Sequence, residues 1–211
     1  MCCWNIGGVK DKMCTPVIFS FVNKFQIVWL LEIKTTSCIS VPGFHTYHNP
    51  SKYCGRRGGV AMLVKYSLLK YVKYVNTSIE GQILVKFSCY PDLVFGGVYI
   101  PPSDSPYFRQ SCFGNLLAAV NDDFSSIVLG DFNSRVGRPE IYDQSLNPYE
   151  YDGIVDSNIN ENGRQLLNLC RGSSMVVGNH LTYQGKKIWG WIDVQKGCIL
   201  DIRDRYLPNE R

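Results

Sequence analysis

Short runs of apolar residues recur along the 211-residue chain, each bounded by turn-forming residues. Runs of this length predict the strands of a β-sheet. Apolar and polar positions mostly alternate over residues 83–89, which is typical of a strand with one buried face. The expected strands cover residues 2–6, 27–31, 44–47, 60–64, 83–89, 93–100, the run around Ile127, and 175–177.

Three other segments have apolar residues at the spacing of an amphipathic helix. Thr15 is expected to cap the first helix and Pro16 to occupy its first turn. The second helix is expected to start at Ser105, and the third to follow Asn160 and stop at Gly172. The expected inward faces comprise Val17, Ile18, Phe21, Val22 and Phe25 in the first helix, Phe113, Leu116, Leu117 and Val120 in the second, and Leu166, Leu169 and Cys170 in the third.

Hairpins and strand–helix–strand units occur together in this pattern. Residues 54–59 are rich in glycine and read as the connection of a hairpin. We therefore predict an α/β (or α+β) domain with mixed sheets. Because the sequence has no repeat, no low-complexity segment and no linker, we expect a single domain over residues 1–211.

Composition narrows the class of protein only moderately. A hydrophobic fraction of 45% and a charged fraction of 19% are ordinary for a globular protein. A net charge of +4 permits contact with nucleic-acid phosphates without demonstrating it. The apolar segment 16–31 is too short and too polar to span a membrane or serve as a signal. The nine cysteines are odd in number and lack CxxC pairs, which favours free, buried thiols in a reducing compartment, so we expect an intracellular protein, in the nucleus or cytoplasm.

Polar residues follow several predicted strands at the point where each strand ends. Asn5, Glu32 and Tyr99 each close an apolar run, and Asp131 and Asn133 follow the strand through Ile127. In an extended backbone, Asp131 and Asn133 would point together into solvent. Any one polar strand end is more often structural, but together they could hold Mg²⁺, which prefers oxygen ligands and needs only one or two carboxylates. A second carboxylate could then activate a water for attack on phosphorus.

The motifs that carry these residues occur in the order found in the endonuclease/exonuclease/phosphatase superfamily. Over nearly its whole length, the chain resembles the endonuclease domain of non-LTR (LINE-type) retrotransposons most. The motifs are Trp-Asn-Ile-Gly-Gly at 4–8, Leu-Glu at 31–32, Gly-Gly-Val-Ala at 58–61, Val-Tyr-Ile-Pro-Pro at 98–102, Gly-Asp-Phe-Asn at 130–133 and Asn-Gly-Arg-Gln-Leu-Leu at 162–167.

This resemblance implies a four-layer sandwich of two mixed β-sheets flanked by helices, and Mg²⁺- or Mn²⁺-dependent hydrolysis of phosphate esters. Glu32 would ligate the metal, with Asn5 close by as a second metal contact. Tyr99 would contact the scissile phosphate. Asp131 would activate or align the attacking water, and Asn133 would hold and polarise the phosphate.

The sequence departs from the family pattern near its C-terminus. Asp201 matches an aspartate that would partner the catalytic histidine of the family, but the Ser-Asp-His motif that supplies this histidine is absent. We therefore expect the domain to be incomplete at the C-terminus, with the final strand or strands missing. The chain's own histidines, His45, His48 and His180, are expected on a strand and a loop, away from the site.

Three functional hypotheses follow from the resemblance. The first is a DNA-nicking endonuclease of retroelement origin, with a reverse transcriptase elsewhere in a longer polyprotein. The second is a catalytically inactive fragment that at most binds nucleic acid, and the third is a phosphatase or phosphodiesterase acting on lipid or inositol phosphates. Arg56 and Arg57 could contact DNA phosphates or lie in a solvated turn, and Trp189 and Trp191 could stack on bases or pack in a core.

Overall fold

The computed structural model describes residues 1–10, 12–13, 15–52, 57–120, 125–136, 150–151, 158–173, 175–177, 181–183, 186–187 and 199–200. Four strands form the first sheet: β1 (Cys2–Asn5), β2 (Ile27–Leu31), β3 (Phe44–Asn49) and β4 (Val60–Lys65). Their order across the sheet is β1–β2–β4–β3. β1 and β2 are parallel, whereas β4 is antiparallel to both of its neighbours, so the sheet is mixed.

The second sheet has six strands among the described residues. The other strands in the described segments are β5 (Val72–Asn76), β6 (Gln82–Phe87), β7 (Tyr90–Tyr99), β8 (Ser125–Asp131), β9 (Glu150–Tyr151), β10 (Val176–Val177), β11 (Leu181–Tyr183), β12 (Lys186–Lys187) and β13 (Ile199–Leu200). The order in the second sheet is β10–β13–β8–β7–β6–β5, and β7 and β8 are its parallel pair. β12, β11 and β9 form a small separate sheet.

Three α-helices and one 3₁₀ helix accompany the sheets in the described part of the chain. They are α1 (Pro16–Val22), α2 (Ser111–Val120), α3 (Glu161–Ser173) and the 3₁₀ helix Tyr66–Tyr71. None of these helices is long and apolar enough to cross a bilayer.

The buried apolar side chains form three clusters, one between the sheets and one on the outer face of each sheet. Between the two sheets, Trp29 and Met62 of the first sheet pack with Ile83 and Phe95 of the second. On the outer face of the first sheet, α1 contributes Val22 to a second cluster. α2 and α3 cover the outer face of the second sheet and form the third cluster. The predicted four-layer sandwich of two mixed sheets flanked by helices is therefore confirmed.

The predicted helix at Ser105 begins later, at Ser111. The amides of Ser105 and Phe108 donate to Pro102 and Ser105 in successive turns. The Ser105 hydroxyl also accepts a hydrogen bond from the amide of Tyr107. Serine side chains compete in this way with helical hydrogen bonds, so the segment forms turns before the helix starts.

Two other helix predictions also need correction. In α1, Val22 is buried, but Val17 is 79% exposed and Phe21 is 39% exposed, so only part of the predicted apolar face contacts the sheet. Phe21, although partly exposed, does reach the sheet, because its ring packs edge-on against Trp4 of β1. α3 continues one residue past Gly172, because the Ser173 hydroxyl donates to the carbonyl of Leu169 and remains in the last turn.

The predictions missed β5, β9, β11, β12 and β13, and the predicted strands differ from the observed ones mainly at their ends. Ile83, Val85 and Phe87 are buried as the alternation predicted, but Leu84 on the opposite face is buried as well, and Cys89 lies beyond β6 in an exposed turn. The six cysteines that the structure describes are thiols and form no disulfide, and of these Cys38 and Cys89 are exposed rather than buried. The prediction that the cysteines are buried therefore does not hold for all of these six.

Candidate active site

On the strands of the second sheet, the side chains that face the core end in polar residues at one end of the sandwich. We call this end, where Asn5, Glu32, Tyr99 and Asp131 meet, the mouth. Phe95 on β7 and Ile127 on β8 face the core between the sheets. Because strand side chains alternate with a period of two, Tyr99 lies on the same face of β7 as Phe95, and Asp131 lies on the same face of β8 as Ile127. The two residues are register partners on the parallel strands, so their side chains start side by side.

Asn5, at the end of β1, meets Asp131 from the opposite sheet. Its Nδ2 donates a hydrogen bond of 2.7 Å to Oδ2 of Asp131. The Asn5 Oδ1 accepts a hydrogen bond of 3.0 Å from the amide of Gly7, which fixes the orientation of the Asn5 amide. Asp131 is only 2% exposed, so the expectation that it points into solvent is wrong. The carboxylate is instead held inside the mouth by contacts from both sheets.

Glu32 reaches this mouth through an unusual backbone conformation. Leu31 packs in the core between the sheets, so a regular strand would turn the next residue outward. Glu32 has a φ of +52°, which breaks the alternation. Its Oε1 accepts a 2.6 Å hydrogen bond from the Tyr99 hydroxyl, and its Oε2 lies 2.9 Å from Nζ of Lys34. A left-handed residue other than glycine costs about 1–3 kcal/mol and is often found at functional sites.

Hydrogen bonds on both sides hold this strained segment. The carbonyl of Glu32 accepts a 2.7 Å bond from the amide of Gly8. The amides of Ile33 and Lys34 donate to the carbonyls of Gly59 and Gly58. The conformation that turns Glu32 toward Tyr99 is thus fixed by the segments that follow β1 and precede β4.

The environment of Tyr99 keeps its phenol neutral. Burial raises the pKa of Tyr99 well above its usual range, and the hydrogen bond to Glu32 and the charges of Glu32 and Asp131 raise it further. The charge of Arg57 acts in the opposite direction. Tyr99 donates a hydrogen bond to Glu32 and is the register partner of Asp131, so both of these acidic residues are its neighbours at the mouth.

Asn133 does not follow the orientation that the sequence predicted. β8 ends at Asp131, and Asn133 has a φ of +48°, so the extended backbone that would align the two side chains is absent. The Nδ2 of Asn133 donates to the carbonyl of Ile100 at 2.9 Å. Its backbone amide donates to Oδ1 of Asp131 at 3.2 Å. Asn133 thus supports the aspartate with its backbone and ties the end of β8 to the end of β7.

A cleft of about 1030 Å³ opens beside the pair formed by Glu32 and Tyr99. Its basic lining residues are Lys34, Lys52, Arg57 and Arg109. The guanidinium of Arg57 lies over the ring of Tyr107, 4.9 Å from the ring centre. Glu32, Glu80 and Asp104 also line the cleft, so it carries charges of both signs and an aromatic surface beside the Glu32 carboxylate.

The other residues considered from the sequence do not join this site. His45 and His48 lie on β3 and do not line the cleft. Burial lowers the pKa of His48, and a hydrogen bond with the backbone of Thr35 opposes this effect. The remaining positions lie outside the described residues: Asp201, His180, Arg56, Trp189 and Trp191.

The residues at the mouth can be compared with the needs of a divalent cation. No cluster of three or more His, Cys, Asp or Glu side chains occurs among the residues described. The mouth does offer two carboxylates, Glu32 and Asp131, and the side-chain amide of Asn5. This oxygen donor set fits Mg²⁺, which keeps several waters and needs only one or two protein carboxylates. It does not fit a structural zinc site, which uses four protein ligands, mostly cysteine and histidine.

Sequence reasoning assigned no role to Lys34, to Tyr107 or to the asparagines at the start of α3. Lys34 could have been noticed because it lies two positions after Glu32. The pairing of Tyr107 with Arg57 had no sequence signal, because it joins two separate loops.

Comparisons with known proteins agree with this architecture. The sequence profile of the Endonuclease/Exonuclease/phosphatase family matches residues 18–193. A 3'-5' exonuclease (NExo) from Neisseria meningitidis has a similar structure, with a TM-score of 0.61 and 16% identity over 93% of this chain and 84% of that one. The AP endonuclease LMAP from Leishmania major gives a TM-score of 0.58 and 15% identity over 83% of this chain and 67% of that one.

The catalytic domain of APE2 from Xenopus laevis is also similar, with a TM-score of 0.55 and 19% identity over 80% of this chain and 66% of that one. At such identities the similarity establishes the fold. A search of curated proteins gives no significant match.

Proposed function

The chain belongs to the endonuclease/exonuclease/phosphatase family, and we propose that it is a divalent-metal-dependent phosphodiesterase that nicks DNA. The observation that carries this proposal is a pair of hydrogen bonds between the two sheets. Asn5 binds Asp131, and Tyr99 binds Glu32, at one mouth of the sandwich. Two carboxylates, an amide and a neutral phenol, beside a cleft that holds lysine and arginine side chains, are suited to hydrolysis of a phosphate ester.

Each side chain has a role that its contacts support. Glu32, with Asn5 close by, would hold Mg²⁺ or Mn²⁺, and the bound cation would supply positive charge to a phosphate oxygen. Asp131, oriented by Asn5 and by the amide of Asn133, would align a water and accept its proton. Tyr99, kept neutral by its surroundings, donates to Glu32 in the structure. It would turn this single O–H to the scissile phosphate once a bound cation occupies the Glu32 carboxylate.

The cleft supports a polymeric substrate. A volume of about 1030 Å³ is far larger than one phosphate group requires, and four basic residues line it together with three acidic ones, Glu32, Glu80 and Asp104. Positive side chains at such a surface bind the phosphates on either side of the bond that is cut. The net charge of +4 is consistent with a polyanionic partner.

We further propose that the domain has a retroelement origin and works beside a reverse transcriptase in a longer polyprotein. The support for this step is the motif set, above all Gly-Asp-Phe-Asn at 130–133 and Asn-Gly-Arg-Gln-Leu-Leu at 162–167. Reading the coding sequence beyond Arg211 for a Ser-Asp-His motif and a reverse transcriptase tests it directly.

The activity is tested by incubating the purified chain with supercoiled plasmid and Mg²⁺, and by repeating the assay with excess EDTA. Asp131→Asn is expected to reduce the nicking rate by about 10²- to 10⁴-fold, the usual contribution of a general acid–base group. The matched control is Asp92→Asn, because Asp92 is exposed near the opposite end of β7. This control is expected to nick like the unaltered chain.

Each of three other results would overturn the proposal. Equal nicking by the unaltered chain and Asp131→Asn would exclude the proposed site. DNA binding without cleavage would identify an inactive nucleic-acid-binding domain. Turnover of inositol phosphates or phospholipid headgroups, with plasmid left intact, would identify the phosphatase alternative.

A further inference from the structure

The start of α3 contacts the loops that follow both strands of the candidate site. Asn162 is fully buried, although it carries a polar amide. Its Nδ2 donates a 2.9 Å hydrogen bond to the carbonyl of Pro101 and a 2.8 Å hydrogen bond to the carbonyl of Phe132. Pro101 lies two residues after Tyr99, and Phe132 directly follows Asp131. One amide group therefore ties together the backbones that carry Tyr99 and Asp131.

Asn160 makes a second connection from the same helix end. Its Oδ1 accepts hydrogen bonds from the amides of Gly163, at 2.8 Å, and Arg135, at 2.9 Å. The bond from Gly163 is a helix N-cap. Its Nδ2 donates a 2.9 Å hydrogen bond to the carbonyl of Asn133. The oxygen of this side chain thus binds both the helix and the loop after Asp131, while its nitrogen binds that loop alone.

Gly163 allows the helix and the loop to approach this closely. A Cβ atom at Gly163 would lie 1.8 Å from the carbonyl oxygen of Arg135, a separation that real structures do not tolerate. The Asn-Gly pair at 162–163 therefore serves two neighbouring contacts: Asn162 donates to Pro101 and Phe132, and Gly163 leaves space for the carbonyl of Arg135.

We propose that Asn160 and Asn162 are positioning residues that hold Tyr99 and Asp131 in register for catalysis. This inference rests on the proposed function, since it assigns these residues to the same site. Neither asparagine touches the mouth itself. They act through the backbone, and a loss of their donors would let the loops after β7 and β8 move relative to each other. A misplacement of about 1 Å can reduce a catalytic rate by about 10²-fold.

Asn160→Asp separates positioning from stability. Aspartate keeps the oxygen that caps α3 and is as good an N-cap as asparagine, and its charge interacts favourably with the helix N-terminus. The donor to the carbonyl of Asn133 is lost, and the carboxylate oxygen that replaces it repels that carbonyl. Asn168→Asp is the matched control, because the same change is made on an exposed face of the same helix. We expect both variants to keep the melting temperature, while Asn160→Asp alone lowers kcat by about tenfold with an unchanged KM.

Asn162→Leu removes the hydrogen bonds to the carbonyls of Pro101 and Phe132 and is expected to lower kcat by about 10²-fold. Asn162→Asp adds a pH profile. Its kcat is expected to recover as the pH falls, because a protonated carboxyl regains one O–H donor for Pro101 or Phe132.

Leu169→Ala controls for stability, since Leu169 is buried in the core under α3. It is expected to lower the melting temperature while kcat at low temperature is retained.

Hydrogen exchange makes the test independent of activity. The amides of Ile100 and Asn133 donate to the backbone and side chain of Asp131, respectively. These amides are expected to exchange faster in Asn160→Asp than in Asn168→Asp. Unchanged exchange together with unchanged kcat in Asn160→Asp would overturn the positioning role. Faster exchange in a chain that nicks no plasmid would support the positioning role and refute the proposed function separately.

Discussion

A hydrogen bond of 2.7 Å joins Asn5 to Asp131, two residues that are 126 positions apart in the chain. Asn5 ends β1 in the first sheet, and Asp131 ends β8 in the second, so this bond closes the mouth of the sandwich across its two sheets. The geometry of the candidate site therefore depends on how the sheets pack. Any change in that packing is expected to alter the site as well.

The first prediction concerns Tyr99 and pH. The pKa of Tyr99 is raised in the folded protein, while the ordinary value in an unfolded chain is near 10.0. Above about pH 10 the folded state thus holds a proton that the unfolded state has lost, and the free energy of unfolding must fall as pH rises. Below about pH 10 both states hold the proton, so Tyr99 makes its full contribution to the free energy of unfolding. Tyr99→Phe removes this dependence, and we expect its unfolding free energy to fall less steeply above about pH 10.

Urea unfolding at several alkaline pH values measures this difference. The slope is expected to be smaller than the full value of about 1.4 kcal/mol per pH unit for one proton, because Tyr99 is only partly buried. Tyr74→Phe is the control, since Tyr74 is exposed on the edge strand β5. Identical alkaline slopes for the unaltered chain and Tyr99→Phe would contradict the prediction.

The second prediction concerns Lys34 and the metal. Its ammonium lies 2.9 Å from Oε2 of Glu32, the carboxylate that would hold a cation. Two positive charges beside one carboxylate repel each other. We therefore expect Lys34→Gln to tighten Mn²⁺ binding by about 3- to 10-fold, a modest effect because the pair is partly exposed to solvent.

Mn²⁺ binding can be followed by electron paramagnetic resonance without DNA. Glu32→Gln is expected to abolish binding, and Lys70→Gln, on the exposed surface of the 3₁₀ helix, is expected to leave it unchanged. Weaker binding by Lys34→Gln would show that the lysine supports the cation site and does not compete with it.

The third prediction concerns Arg57, which lies over Tyr107 in the cleft. If Arg57 contacts a DNA phosphate, Arg57→Ala should weaken binding of a short duplex about equally for all sequences. It should also reduce the slope of log K against log salt by about one. Fluorescence anisotropy without divalent metal measures both quantities. Lys73→Ala, exposed on β5, is the control, and an equal effect of the two variants would exclude a specific contact at Arg57.

The fourth prediction concerns Gly97, two residues before Tyr99 on β7. A Cβ atom there would lie 1.9 Å from Cδ1 of Trp29, which is fully buried between the sheets. We expect Gly97→Ala to destabilise the fold by about 1–3 kcal/mol, because the tryptophan and strand must shift.

Gly114→Ala is the matched change. Gly114 lies inside α2 with no atom within 4 Å of a new Cβ, so alanine is expected to stabilise the protein by about 0.5–1 kcal/mol. Urea midpoints of the two variants should move in opposite directions. A midpoint for Gly97→Ala at or above that of the unaltered chain would show that the space beside Trp29 is larger than the structure indicates.

Side-chain alternation and turn residues are local signals, and they were sufficient to predict most of the strands. Ile83, Val85 and Phe87 are buried as their spacing predicted. The same period of two brings Tyr99 and Asp131 to the inner face at the end of β7 and β8. The sequence alone thus identified the residues at the mouth.

Tertiary structure decided how those residues are oriented. Glu32 turns inward only because its backbone adopts a left-handed conformation, held by bonds to Gly8 and by neighbouring bonds to Gly58 and Gly59. Asn133 leaves the strand and binds the carbonyl of Ile100. These orientations depend on partners that are distant in the chain. Local propensity determines which side chains reach the end of a strand, whereas only the packing of the two sheets and α3 determines which atoms meet there.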